Sequence, residues 1–143
     1  MTNFAQGVYK VQNPKKYVGK GEPRYRSGWE HAFFRFCDNN DAVLEWASEA
    51  IAIKYLHPLT GKQANYIPDV FIRYRTRNNK ICTEIVEIKP KKQSVIESKM
   101  SNRDRMVVAV NYAKWDQATK WCARNGLKFR VITEEDMFAS GKR

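Results

Sequence analysis

Asp69, Glu87 and Lys89 are the residues of this 143-residue chain whose types and spacing best fit a reaction. Two carboxylates can hold a hard cation such as Mg²⁺, which takes oxygen ligands and keeps several waters. A lysine ammonium is a compact point charge, able to orient a water or offset charge building on a phosphate. Together they form a minimal set for metal-assisted hydrolysis of a phosphodiester. An exposed ion pair contributes only about 0–1 kcal/mol to stability. Stability alone is therefore a poor reason to gather all three.

These residues lie in the stretch from Tyr66 to Lys89, YIPDVFIRYRTRNNKICTEIVEIK, which reads as two strands and a short turn. The first strand is expected to carry Pro68-Asp69 and the second Glu87-Ile88-Lys89. Strand side chains alternate faces, so Glu87 and Lys89 share one. Asp69 can face Glu87 only if the turn sets the register. A two-residue Asn78-Asn79 turn would pair Asp69 with Ile88, which points the wrong way. An odd loop such as Arg77 to Asn79, with a bulge, pairs Asp69 with Glu87 and is the expectation.

Pro68-Asp69 followed by Glu87-Ile88-Lys89, with 17 residues between Asp69 and Glu87, resembles the PD-(D/E)xK nuclease superfamily. An amino-terminal helix with Ser27-x-x-Glu30, a strand before the hairpin, and a helix then a strand after it complete the pattern. That order resembles transposon end-cutting endonucleases of the TnsA type. In length and basic character it more closely resembles the small head-completion nucleases of T-even-like bacteriophages. The similarity covers most of the chain from Arg24 on. It implies an α/β restriction-endonuclease-like core, with a mixed central sheet of about four strands flanked by helices. It also implies a Mg²⁺-dependent endodeoxyribonuclease acting on packaged DNA ends during head completion, with Mn²⁺ able to substitute. Asp69, Glu87, Glu30 and the main-chain carbonyl of Ile88 would then hold the metal, and Lys89 would complete the catalytic group. DNA is the implied partner, along with capsid or portal proteins, in the host cytoplasm or associated with the virion. Two other readings stay open: a non-catalytic DNA-binding or virion structural protein on the same fold, and a transposon- or restriction-type endonuclease.

Glu30 has a structural reading of its own. Ser27 is a good N-cap for a helix running to about Cys37, and an acid three residues on completes a capping box. Glu30 also shares a helical face with Phe34 and Cys37, which favours a place beside the site over a wet surface. Glu49 is read as a surface acid, and Asp38-Asn39-Asn40-Asp41 as a solvated turn. The histidines, His31 and His57, do not form a metal pair by spacing. Cys37, Cys82 and Cys122, odd in number and widely spaced, suggest reduced thiols. There is no Gly-rich phosphate loop and no Ser/His/Asp or Cys/His arrangement.

The net charge is +11, as expected of a protein facing a polyanion. Residues 1–26, with six Lys or Arg against Glu22, read as an extended basic arm ahead of a single domain over 27–143. In the arm, Lys15, Lys16, Lys20, Arg24 and Arg26 interleave with tyrosines, a pattern suited to phosphate contact or to packing on the domain. Lys91, Lys92, Lys99, Arg103 and Arg105 form a second basic patch beyond the hairpin. A domain this small covers little DNA, which leaves room for a homodimer. No apolar run is long enough to span a bilayer and no signal peptide is evident. The remaining expectations are a strand over Ile51 to Tyr55, a loop over Thr60 to Asn65 and a short helix over Ser94 to Met100. A long helix over Asn102 to Arg124 is expected to bury Val108, Tyr112, Trp115, Ala118 or Thr119, and Cys122, with Lys114, Lys120 and Arg124 off that stripe and free to touch DNA. A last strand should cover Leu127 to Thr133, with a short helix from Glu134.

Overall fold

A computed structural model describes residues 6–95, 99–133 and 135–136, the Lys92 side chain excepted. The elements run β1 (Gly7–Val8), β2 (Arg24–Tyr25), α1 (Gly28–Asn39), β3 (Val43–Ser48), β4 (Ile53–Leu56), β5 (Gln63–Tyr66), β6 (Val70–Arg75), β7 (Ile81–Ile88), α2 (Asn102–Arg124) and β8 (Lys128–Ile132). The central sheet has the order β3-β6-β7-β8, antiparallel except for the parallel β7–β8 pair. A parallel neighbour needs a long crossover, and α2 supplies it. This is the mixed sheet with flanking helices expected of a restriction-endonuclease-like core.

Alternation along the strands sorts the core into two layers. Val70, Ile72, Val86, Ile88 and Ile132 face α1 and pack with Phe34, Cys37 and Trp46. Phe129 and Val131 face the other way, toward α2, where Trp115 and Ala118 pack with Ile53, Tyr55 and Tyr66 of the β4–β5 hairpin. Asp69, Glu87 and Lys89 fall by the same alternation on the α2 side.

The β6–β7 turn decides the register. Thr76 and Lys80 close a three-residue loop, Arg77 to Asn79, through Thr76 N–H to Lys80 O at 2.7 Å and Asn79 N–H to Thr76 O at 2.9 Å. Asn79 takes φ +63°, the left-handed position such loops require. The pairing runs from Arg75↔Ile81 to Val70↔Val86, so its continuation sets Asp69 against Glu87. The odd loop was the expectation. The strand itself begins at Val70, leaving Pro68-Asp69 just outside it.

In the described part of the basic arm the tyrosines take the packing alternative: β1 pairs with β2, Tyr9 is buried, and Tyr17 lies edge-on to Trp46 at 4.8 Å. Several other expectations are corrected. Asp38 is not in a solvated turn. It is fully buried and accepts from Tyr9 Oη at 2.8 Å, Gln12 N–H at 2.7 Å and Asn13 N–H at 3.0 Å. Thr60 to Asn65 is not all loop, since β5 pairs with β4. Asn111, not Tyr112, is buried on α2, because its amide donates to the Gln93 carbonyl at 2.9 Å. Of the helix expected over Ser94 to Met100, residues 96–98 lie outside the described residues, and residues 94, 95, 99 and 100 are not helical, following a 3-10 turn at Lys91–Gln93. Residue 134 and those after 136 lie outside the described residues. No helix among the described residues is long and apolar enough to cross a membrane.

Candidate active site

The site is assembled where β6 begins and β7 ends. Asp69 stands one residue before β6, and its Oδ2 accepts the main-chain N–H of Ile88 at 2.8 Å. In a strand, the N–H and C=O of one residue point to the same side. The Ile88 carbonyl is therefore also on the Asp69 side. On the far side, Lys89 N–H donates to Ile132 O at 3.0 Å, so β8 holds the end of β7 in place.

Glu87 is buried, and both its oxygens are engaged. Tyr66 Oη donates to Oε1 at 2.7 Å, and Lys89 Nζ stands 3.6 Å from Oε2. Lys114 of α2 lies over the rings of Tyr55 and Tyr66, 5.9 and 5.8 Å from their centroids. Burial lowers its pKa, and Lys89 nearby lowers it further while Glu87 partly offsets this. Lys89 and Lys114 thus both stand near the Glu87 carboxylate.

Glu30 comes from the opposite layer, in the first turn of α1. Ser27 Oγ accepts the Glu30 N–H at 3.1 Å, as a cap should. The Glu30 carboxylate reaches back past Ser27 to accept the Arg26 N–H at 3.1 Å, one residue beyond the usual capping box. Glu30 still feels the site acids, so the two readings of this residue are not exclusive. Its carboxyl is held above the ordinary range, chiefly by burial, with Glu87 and Glu49 adding to the shift. Asp69 is raised well above its ordinary value by burial, then by Glu87 and Glu30. Glu87 is also raised by burial, against the lowering pull of Tyr66 and Lys89.

The carboxyls of Glu30, Asp69 and Glu87 each resist ionising, chiefly through burial, and a cation bound beside them would relieve that cost. The donors are all oxygen, which suits Mg²⁺ better than zinc. Among the described residues, no three His, Cys, Asp or Glu side chains form a ready-made cage. A cation here would complete its shell with main-chain oxygen, water and substrate phosphate, as Mg²⁺ commonly does. The residues present fit the ion on that basis.

The basic residues divide. Lys16 Nζ donates to the carbonyls of Asp38 at 3.0 Å and Asn40 at 2.8 Å, so it caps the end of α1. Arg26 is paired with Glu49, whose φ of +50° turns the chain between β3 and β4. Glu49 is exposed, as expected of a surface acid, and its main-chain N–H donates to Asp69 O at 2.9 Å, which places its backbone beside the site. Lys91 pairs with Glu135 at 3.3 Å, and Arg105 Nε donates to Met100 O at 3.3 Å. Lys15, Lys20, Arg24, Lys99 and Arg103 are exposed.

Sequence reasoning missed Tyr66 as a member of the site, and it placed Lys114 only among the helix cations able to touch DNA, not beside Glu87. Tyr66 ends β5, a strand without clear alternation. The sequence signal available for Tyr66 was its position three residues before Asp69, on an apolar stretch with a polar tip.

Residues 40–134 match the family described as TnsA-like endonuclease N terminal. Over 148 aligned positions the chain is 30% identical to the head completion nuclease of Enterobacteria phage T4, covering 94% of this chain and 95% of the relative. No solved structure matches significantly.

Proposed function

This chain belongs to the TnsA-like endonuclease family, and on that premise we propose that it is a Mg²⁺-dependent DNA endonuclease acting on duplex ends in phage head completion. Family membership and the phage T4 relative support a nuclease role. The observation that carries the finer reading is the meeting of Asp69 and Glu87 at one end of β6–β7, with Lys89 3.6 Å from Glu87.

When bound, Mg²⁺ would supply an activated water and charge relief at the attacked phosphate. The chain's own residues set the geometry. The Ile88 N–H fixes Asp69, and the Tyr66 hydroxyl fixes Glu87, so neither carboxylate must reorganise on loading. Glu30 reaches the same space from α1, directly or through a water. Lys89 is held on the Glu87 side, where its ammonium can orient the attacking water and stabilise negative charge on phosphate oxygens. Exposed Lys15, Lys20, Arg24, Lys99 and Arg103 are the cations best placed to meet the DNA backbone.

The test is cleavage of linear and plasmid DNA with and without Mg²⁺, using Asp69→Ala and Lys89→Ala as controls. Activity persisting in both variants would end the catalytic assignment. The family match equally suits an end-cutting enzyme of the transposon kind. Association with phage heads in infected cells separates that reading from head completion.

A further inference from the structure

A groove of about 480 Å³ opens beside the site, running from Lys89 along the first half of α2. Its walls mix two chemistries. Leu59, Met106 and Val107 supply apolar surface and stay 54%, 47% and 39% exposed. Lys89, Arg103 and Lys114 supply positive charge, and none of the described lining residues is acidic. The floor is pinned, because buried Asn111 ties α2 to the Gln93 carbonyl at 2.9 Å.

Cations alone suffice to grip a phosphate backbone. Apolar side chains left in water give a backbone nothing. A ligand that offers a flat apolar face and a phosphate together is a nucleotide whose base has left the stack. In paired duplex the bases are turned inward, out of reach of such a wall. Lys89 belongs to both the groove and the catalytic group, so a nucleotide seated here would adjoin the scissile phosphate. We infer that this groove is a subsite for an unpaired nucleotide next to the cut, with its base on Leu59, Met106 and Val107 and its phosphate on Arg103 and Lys114. The proposal rests on the nuclease reading of the adjoining site. It adds a preference for frayed or single-stranded ends over fully paired duplex.

The test is binding in EDTA, where no cleavage occurs. One probe is a hairpin-closed duplex with a three-nucleotide overhang carrying 2-aminopurine, and the other is the same duplex with a blunt end. The wild-type protein should favour the overhang by about tenfold, with a change in 2-aminopurine fluorescence, as expected of one seated base. Val107→Gln, at an exposed position, should bring the two affinities together while leaving the melting temperature in place. Met106→Gln is the second variant and should act in the same direction. Equal wild-type affinity for the two probes would overturn the subsite, as would an equal loss on both in the variants. Mg²⁺-dependent cleavage of both probes and of plasmid DNA is scored separately. Its absence on every one of them would remove the nuclease reading without altering the binding result.

Discussion

The Tyr66 hydroxyl donates to Glu87 at 2.7 Å, in a place where both residues are buried. This bond joins the small β4–β5 hairpin to the central sheet at the candidate site. It also pushes the tyrosine well above its usual pKa, after burial and the charge of Glu87. The phenol stays protonated at any working pH and remains a donor.

Tyr66→Phe should keep the fold and lose that donor. A buried acceptor left without its partner costs about 1–3 kcal/mol. Partners of metal-holding groups commonly change metal affinity or activity by about 10- to 100-fold. The variant should need more Mg²⁺ for half-maximal cleavage, as read from a Mg²⁺ titration. An unchanged titration would leave Tyr66 with only a packing role.

Asp69→Asn should separate activity from stability. The amide oxygen can still accept the Ile88 N–H, but the charge that Glu87 and Glu30 repel is gone. Cleavage should fall by about a thousandfold, in line with the loss of a group central to charge stabilisation. The melting temperature in EDTA at pH 8 should hold or rise. A variant that melts well below wild type under those conditions would show that the carboxylate stabilises the metal-free fold.

The pH dependence of the metal-free protein follows from the same shift. The Asp69 pKa is above 3.8 in the fold, so the native state holds a proton that the unfolded chain releases. That contribution is fully present below about pH 4 and is lost as pH rises through the raised value. Mg²⁺ should therefore stabilise more at pH 8 than at pH 5. An ion present at 100 times its dissociation constant adds about 2.7 kcal/mol. Thermal melts with EDTA or Mg²⁺ across this range check the sign.

Asp38 should behave in the opposite sense. Burial alone would raise it, but the N–H groups of Gln12 and Asn13 and the Tyr9 hydroxyl together hold it below its ordinary 3.8. Its contribution is present above about pH 4 and fades as pH falls through the depressed value. Asp38→Ala should cost about 2–3 kcal/mol, since hydrogen bonds to a charged group are strong. It should also expose residues 10–20 to protease. Undisturbed proteolysis would mean that packing of Tyr9 and Tyr17 alone holds the segment.

Much of this was legible because local rules were unambiguous. Loop parity at Arg77 to Asn79 fixed which face Asp69 takes. Ser27 marked the start of α1, and Asn125-Gly126 marked the end of α2. Other features depend on partners far away in the chain. Asp38 sits in a run that looks like a turn, and only the returning residues 9–13 make it a buried acceptor. Asn111 and Tyr112 both fit a helical stripe, and the Gln93 carbonyl decides between them. Tyr66 gave no periodic signal, and its role appears only when β5 is laid beside β7.

The hydrogen bond from Lys89 N–H to Ile132 O crosses 43 positions of sequence and closes the parallel β7–β8 pair. Long-range closures of this kind are slow and come late in folding. The corner that holds Asp69, Glu87 and Lys89 thus takes its final shape only after β8 has left the ribosome. A nascent or prematurely ended polypeptide lacking β8 should therefore show no cleavage in the assay that scores the full chain.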